Sequence, residues 1–135
     1  MTPFQIIASY FLTLLVFLSL DLLWLGVIAK KFYRDSLSGF LSDKPKWAAA
    51  VTFYFLFIIG VFIFAIVPAI EQYDFAGAVR LGALFGFFTY ATYDLTNLAL
   101  LKNWPIKIVI IDILWGMFLT GTVSGSGYLI FYWLV

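Results

Sequence analysis

The 135-residue chain contains no cysteine and no histidine. These two absences remove disulfides, thiol nucleophiles, haem with its usual ligands, His-box iron sites and every catalytic triad built on histidine. Charge is scarce as well: eight Lys and Arg against seven Asp and Glu, 11% of the residues, leave a net charge of +1. A nucleic-acid partner requires a basic face, so none is expected. What the chain has in abundance is apolar surface: 64% of residues are hydrophobic, 21% are aromatic, and the mean hydropathy is +1.06. A soluble domain of this length could not bury that much, so the sequence predicts an all-α integral membrane protein. The first apolar segment lacks a basic leader and a small-residue cleavage site, and is expected to be retained as a helix.

Four apolar runs, residues 3–29, 47–70, 76–101 and 106–134, are long enough to cross ~30 Å of hydrocarbon at about 1.5 Å per residue. They predict a four-transmembrane-helix bundle forming a single membrane domain over residues 1–135. Short turns around Glu71 to Phe75 and Lys102 to Pro105 make neighbouring helices antiparallel, and Pro68 and Pro105 are expected at helix boundaries. The Ser124-Gly125-Ser126-Gly127 stretch is expected to bend or tilt the fourth helix.

Basic residues are unevenly placed. Lys30, Lys31, Arg34, Lys44 and Lys46 lie between the first two helices, and Lys102 and Lys107 flank the last turn, whereas the opposite side has only Arg80. The positive-inside rule then puts those two connections in the cytoplasm and Met1 and Val135 on the non-cytoplasmic side. Within the first connection Tyr33, Leu37, Phe40 and Leu41 recur at helical spacing among Lys31, Arg34, Asp35 and Ser38. This predicts either a short amphipathic segment on the cytoplasmic leaflet or a plain basic linker.

Three aspartates, Asp21, Asp94 and Asp112, interrupt the apolar runs. An ionised carboxylate in hydrocarbon costs about 2.5 kcal/mol at the least, so acids there point to a site. Counting back from the flanking lysines puts all three in the cytoplasmic half, on the first, third and fourth helices. The uncharged second helix reads as lipid-facing scaffold. Each acid continues a polar or small stripe: Ser9, Thr13 and Asp21 share a face with Phe17; Gly86, Tyr90, Asp94 and Asn97 share another; Asp112, Gly116, Thr120 and Ser124 recur every four residues. Facing one another, the stripes would form a polar seam running from the outer half of the bilayer to the carboxylates. Gly82-xxx-Gly86 and Gly121-xxx-Gly125 also suit close helix packing. Trp24 and Trp115 follow Asp21 and Asp112 by three residues, where an indole N–H can reach a carboxylate or the ring can wall a pocket. A shorter echo, Asp21-Leu22-Leu23-Trp24-Leu25 against Asp94-Leu95-Thr96-Asn97-Leu98, hints at a duplicated hairpin. The candidate ligand- or ion-binding set is therefore Asp21, Asp94, Asp112, Asn97, Trp24, Trp115, Tyr90 and Thr120, with the three aspartates as ligands for any metal.

With Leu20-Asp21-Leu22-Leu23-Trp24-Leu25-Gly26, Tyr93-Asp94-Leu95-Thr96-Asn97-Leu98 and Asp112-Ile113-Leu114-Trp115-Gly116, the chain resembles a family of small bacterial inner-membrane proteins known as domain of unknown function 2177. The Asp-Leu-Thr-Asn stretch before Lys102-Asn103-Trp104-Pro105 is the most specific part of the likeness. The resemblance implies a bacterial inner membrane and a setting in lipid or modified fatty-acid metabolism; it implies no activity.

Three functions fit these residues. The leading one is a carboxylate-lined intramembrane site for a proton, a cation or a polar-headed small molecule, serving transport; a four-helix transporter is expected to work as a homodimer among membrane lipids. The second is a membrane enzyme acting on lipid, its aspartates holding Mg²⁺ and a phosphate; closely spaced Asp-x-x-Asp pairs are absent, which favours a non-enzymatic role. The third is a non-catalytic subunit or assembly factor whose acids pair with a partner's basic residues, or with Arg80 and Lys107 of the same chain. No cofactor is expected. The topology makes the first prediction: with single cysteines at Ser38 and Tyr73, an impermeant thiol reagent applied to intact cells labels Tyr73→Cys and spares Ser38→Cys, and the reverse pattern inverts the orientation.

Overall fold

A computed structural model describes residues 2–135, and every regular element among them is helical. Met1, whose side of the membrane the charge pattern addresses, lies outside the described residues. Four helices are long and apolar enough to cross a membrane: Pro3–Ile28, Trp47–Glu71, Phe75–Leu100 and Ile106–Leu134. The first comprises α1 (Pro3–Leu23) and a π-helical turn, Trp24–Ile28. It starts at a capping box, in which the Thr2 hydroxyl accepts from the Gln5 N–H at 3.2 Å and the Thr2 N–H donates to the Gln5 side chain at 2.9 Å. Two backbone donors that the helix leaves free are satisfied this way. The connection carries α2 (Lys30–Ser36), shorter than the apolar spacing to Leu41 implied.

The second span contains α3 (Trp47–Val61), a π-helical turn (Phe62–Ile66) and α4 (Val67–Glu71). Pro68 does not end this helix, as its position suggested; it sits inside α4, directly after the π turn. Proline has no N–H for the preceding turn, and the widened π turn absorbs that mismatch without stopping the helix. Helix α5 (Phe75–Leu100) starts at Asp74, whose carboxylate accepts from the Gly77 N–H at 2.9 Å and pairs with Arg80 at 3.2 Å. Helix α6 (Ile106–Leu134) follows a turn in which Asn103 takes a left-handed conformation (φ 63°), which asparagine tolerates better than most residues.

The Ser124–Gly127 stretch does not interrupt α6, which is one continuous helix. Its small residues instead admit neighbours: a Cβ on Gly125 would meet Val79 Cγ2 at 2.9 Å, and one on Gly127 would meet Thr13 Oγ1 at 3.0 Å. The closest helix pair is α5 with α6. A Cβ on Gly82 would fall 2.6 Å from the Thr120 carbonyl, one on Gly86 would strike the Gly116 carbonyl and Thr120 Oγ1, and one on Gly116 would strike the Tyr90 ring. Gly82 against Ser124, Gly86 against Thr120 and Tyr90 against Gly116 step by four residues along both helices, an antiparallel register written in small side chains. One more step pairs Asp94 with Asp112. Lipid supplies no hydrophobic drive between helices, so this close backbone approach is what fixes the bundle.

Helix α6 buries the largest share of its residues and forms the centre, with α1, α5 and the π-helical turn of the second span against it. The core gathers Phe17 of α1, Ile58 and Val61 of α3, Ala78 of α5, and Leu119 and Val123 of α6. The second span is therefore not merely lipid-facing scaffold: Phe57, Ile58, Val61, Ala65 and Ile66 are all buried. An absence of charge signalled apolar neighbours, and those neighbours are protein on one side and the surroundings on the other. The expected polar seam is likewise closed. Ser9, Thr13, Thr120 and Ser124 are fully buried at helix contacts, with hydroxyls that lack partners. The packing predicts that Gly86→Ala destabilises the protein by about 1–3 kcal/mol, because a backbone carbonyl cannot yield as a side chain can. Gly26→Ala meets nothing within 4 Å and is expected to keep the wild-type melting temperature in detergent; equal melting of both variants would refute the register.

Candidate functional site

At the end of the bundle that carries α2 and the α5–α6 turn, the helices part around a cavity of about 420 Å³, open on one side. Asp21 of α1, Asp94 of α5 and Asp112 of α6 all line it. The rest of the wall is largely aromatic: Phe53, Tyr54 and Phe57 from α3, Tyr90 and Tyr93 from α5, Trp115 from α6, Tyr33 from α2, and Trp104 from the last turn. No lysine or arginine among the described residues lines the cavity.

The three acids differ in how they are held. Asp21, 7% exposed, accepts from Trp115 Nε1–H at 3.2 Å. Asp112 accepts from the Tyr33 hydroxyl at 2.9 Å, and that hydroxyl in turn accepts from Trp24 Nε1–H at 3.2 Å. The rings of Trp24 and Trp115 stack in parallel, centroids 4.5 Å apart and planes 9° from coplanar. The two Asp-x-x-Trp motifs are thus exchanged. Because α1 and α6 run in opposite directions, each tryptophan stands level with the other motif's acid. Trp115 serves Asp21 directly, and Trp24 serves Asp112 through Tyr33.

Asp94 has no such support. It is 0% exposed, and neither carboxylate oxygen has a hydrogen-bond partner among the described residues. Asp112 and Trp104 both come within hydrogen-bonding reach of it: a proton shared between the two carboxyls, or the buried Trp104 indole N–H turned onto Asp94, would partner one of its oxygens. Even with that N–H turned onto Asp94, one donor would meet only one of about four lone-pair sites on a carboxylate. The intrachain cations proposed from sequence are elsewhere. Arg80 pairs with Asp74 in the only ion pair among the described residues, and Lys107 is exposed.

Of the residues singled out from sequence, Asp21, Asp94, Asp112, Tyr90 and Trp115 line the cavity, and Trp24 supports the wall from behind Trp115. Asn97, partly buried, is a neighbour of Tyr93. Thr120 does not line the cavity; it lies against Gly86 in the α5–α6 contact, its place in the four-residue stripe fixing register. As ligands for a metal the aspartates do not form a cluster, and no group of three or more Asp, Glu, His or Cys among the described residues is arranged to hold one. Tyr33, Tyr54, Tyr93 and Trp104 line the cavity as well, although the candidate set drawn from the sequence did not include them. Tyr33 and Trp104 lie in connections, and only the docking of α2 onto α6, through Leu37, Trp104, Ile108 and Val109, brings them in. The one available signal was the run of apolar residues at helical spacing in the first connection.

Four apolar spanning helices around an acid-lined cavity define a multi-pass helical membrane protein. Residues 6–129 match the family described as "Predicted membrane protein (DUF2177)", and the chain belongs to that family. No curated protein and no solved structure matches it. Burial and the Asp112 carboxylate raise the Tyr33 pKa, so its phenol stays protonated at neutral pH and remains a donor. Tyr33→Phe strands the Trp24 N–H and one Asp112 oxygen; the expected cost is about 1–3 kcal/mol of stability, read by chemical denaturation in detergent. No loss would mean that α2 does not dock.

Proposed function

We propose that the protein binds a positively charged ligand inside the membrane, in the carboxylate-lined cavity, with Asp94 as the principal counter-charge. The observation that carries this reading is a fully buried carboxyl group in the cavity wall, with no basic side chain beside it and only Asp112 and Trp104 within hydrogen-bonding reach among the described residues. A buried charge normally has a partner, and breaking such a pair typically costs ~3–5 kcal/mol. Here two further carboxylates share the space without a single lysine or arginine on the wall. A cation entering the cavity supplies what the fold omits. In this reading the membrane is the bacterial inner membrane, the charge-rich connections are cytoplasmic, and the cavity opens in the cytoplasmic half.

Carriage across the membrane, by a homodimer surrounded by lipid, is the extension favoured by a second observation. The unpartnered hydroxyls of Ser9, Thr13, Thr120 and Ser124 continue from the acids along α1 and α6. Thr120 and Ser124 lie against Gly86 and Gly82 of α5, and Thr13 against Gly127 of α6, so they would line a path only in a state where α1 and α5 both part from α6. An enzyme acting on lipid has less support, since Asp21 and Asp112 already accept from Trp115 and Tyr33.

The test is thermal melting of purified protein in detergent against chloride salts of Na⁺, K⁺, Mg²⁺, tetramethylammonium and benzyltrimethylammonium at equal ionic strength. A ligand at a hundred times its Kd adds ~2.7 kcal/mol to stability. At least one cation should raise the melting temperature of the wild type and leave Asp94→Asn unmoved. A panel that shifts both proteins alike, or neither, would remove the cation site.

A further inference from the structure

Resting on that reading, we infer that the ligand is a substituted ammonium ion carrying an apolar or aromatic body, rather than a hydrated inorganic ion. Three features of the cavity select this class. Its wall is predominantly aromatic and aliphatic carbon: the rings of Phe57 and Tyr90 meet edge to face at 6.3 Å, and those of Tyr93 and Trp104 at 6.1 Å. Aromatic faces attract a cation through their quadrupole, most strongly where water is excluded, and aromatic cages suit alkylated ammonium groups. A small inorganic cation instead demands several oxygen ligands to replace its water, and the aspartates are not grouped to provide them.

The second feature is size. About 420 Å³ lies in the range of pockets that hold organic molecules, roughly 300–1,000 Å³, and far exceeds what one ion needs. The third is the division of polar groups. Asp21 and Asp112 already accept from Trp115 and Tyr33, while Asp94, on the α5 wall with Tyr90 and Tyr93, remains unpartnered. The positive nitrogen therefore lies over the part of the wall behind which Asp94 is buried, with its substituents against Tyr90, Phe57 and Trp104. The open side lets that body extend: Leu25 and Phe53 line the cavity while remaining 41% and 48% exposed.

Benzyltrimethylammonium and its uncharged isostere neopentylbenzene test the assignment, read by tryptophan fluorescence of the full-length protein in detergent, since Trp104 and Trp115 both line the cavity. Saturable quenching by the ammonium ion, weakened roughly tenfold or more for the isostere and for Trp104→Leu, is expected. The comparison between the two ligands uses only wild-type protein, so it stands even where a variant fails to fold. Equal binding of cation and isostere would overturn the ammonium assignment and the charge-based site together. Stabilisation by Na⁺, K⁺ or Mg²⁺ that depends on Asp94, with no response to benzyltrimethylammonium, would overturn the ammonium assignment alone. Dodecyltrimethylammonium and tetramethylammonium, compared in lipid nanodiscs, separate the sources of such a cation. Preference for the long chain supports a ligand delivered from the bilayer, and preference for the short one supports a ligand delivered from water.

Discussion

Everything at the candidate site depends on how closely α5 and α6 approach. Gly82, Gly86 and Gly116 let backbone meet backbone and ring meet backbone, with positions on the two helices matched every four residues. That register leaves no freedom in where Asp94 and Asp112 come to rest: two turns beyond Gly86 on one helix, and one turn before Gly116 on the other. A side chain in place of either glycine would push the helices apart or displace Tyr90. In a membrane, where apolar contact between helices has no advantage over contact with lipid, such packing is the main way to specify a register.

From that seam the remaining parts follow. Helix α1 lies on α6 in the opposite direction, which exchanges the two Asp-x-x-Trp motifs and stacks their indoles. The stacked pair makes one rigid wall and gives two of the three acids one donor each, Asp21 from Trp115 and Asp112 from Tyr33. Helix α3 closes the opposite side with aromatic rings. What is left is a space whose third acid, Asp94, is fully buried without a basic partner among the described residues. Buried polar groups are almost always partnered, and an exception facing a cavity marks where a ligand belongs.

Much of this was legible in the sequence, for an identifiable reason. Long apolar runs, small residues at every fourth position and acids within the runs report directly on lipid, packing and site, because each is costly anywhere else. Gly86, Tyr90 and Asp94 on one helix and Asp112, Gly116 and Thr120 on the other were visible as stripes. That they face each other in one register was not, since register is a property of the pair. Thr120 was read as part of the site because a stripe shows a face and not where along it packing stops. Tyr33 and Trp104 were missed because they lie in connections, where helical periodicity carries no depth information. The uncharged second span was read as scaffold because its apolar residues look the same whether they face lipid, core or an aromatic cavity wall. Pro68 and the Ser-Gly stretch misled in another way: both are compatible with breaks, and neighbouring structure absorbed one and used the other for contact.

The central claim is that Asp94 has no basic partner within the fold and is completed only by a ligand. Chemical denaturation of wild type and Asp94→Asn, in detergent free of added organic cations, measures this most directly. The amide is close to isosteric and cheaper to bury than the charge, so the account predicts a variant at least as stable as the wild type. A loss of about 3–5 kcal/mol, as expected when one member of a buried ion pair is removed, would show that the chain already supplies the partner, and would contradict the account.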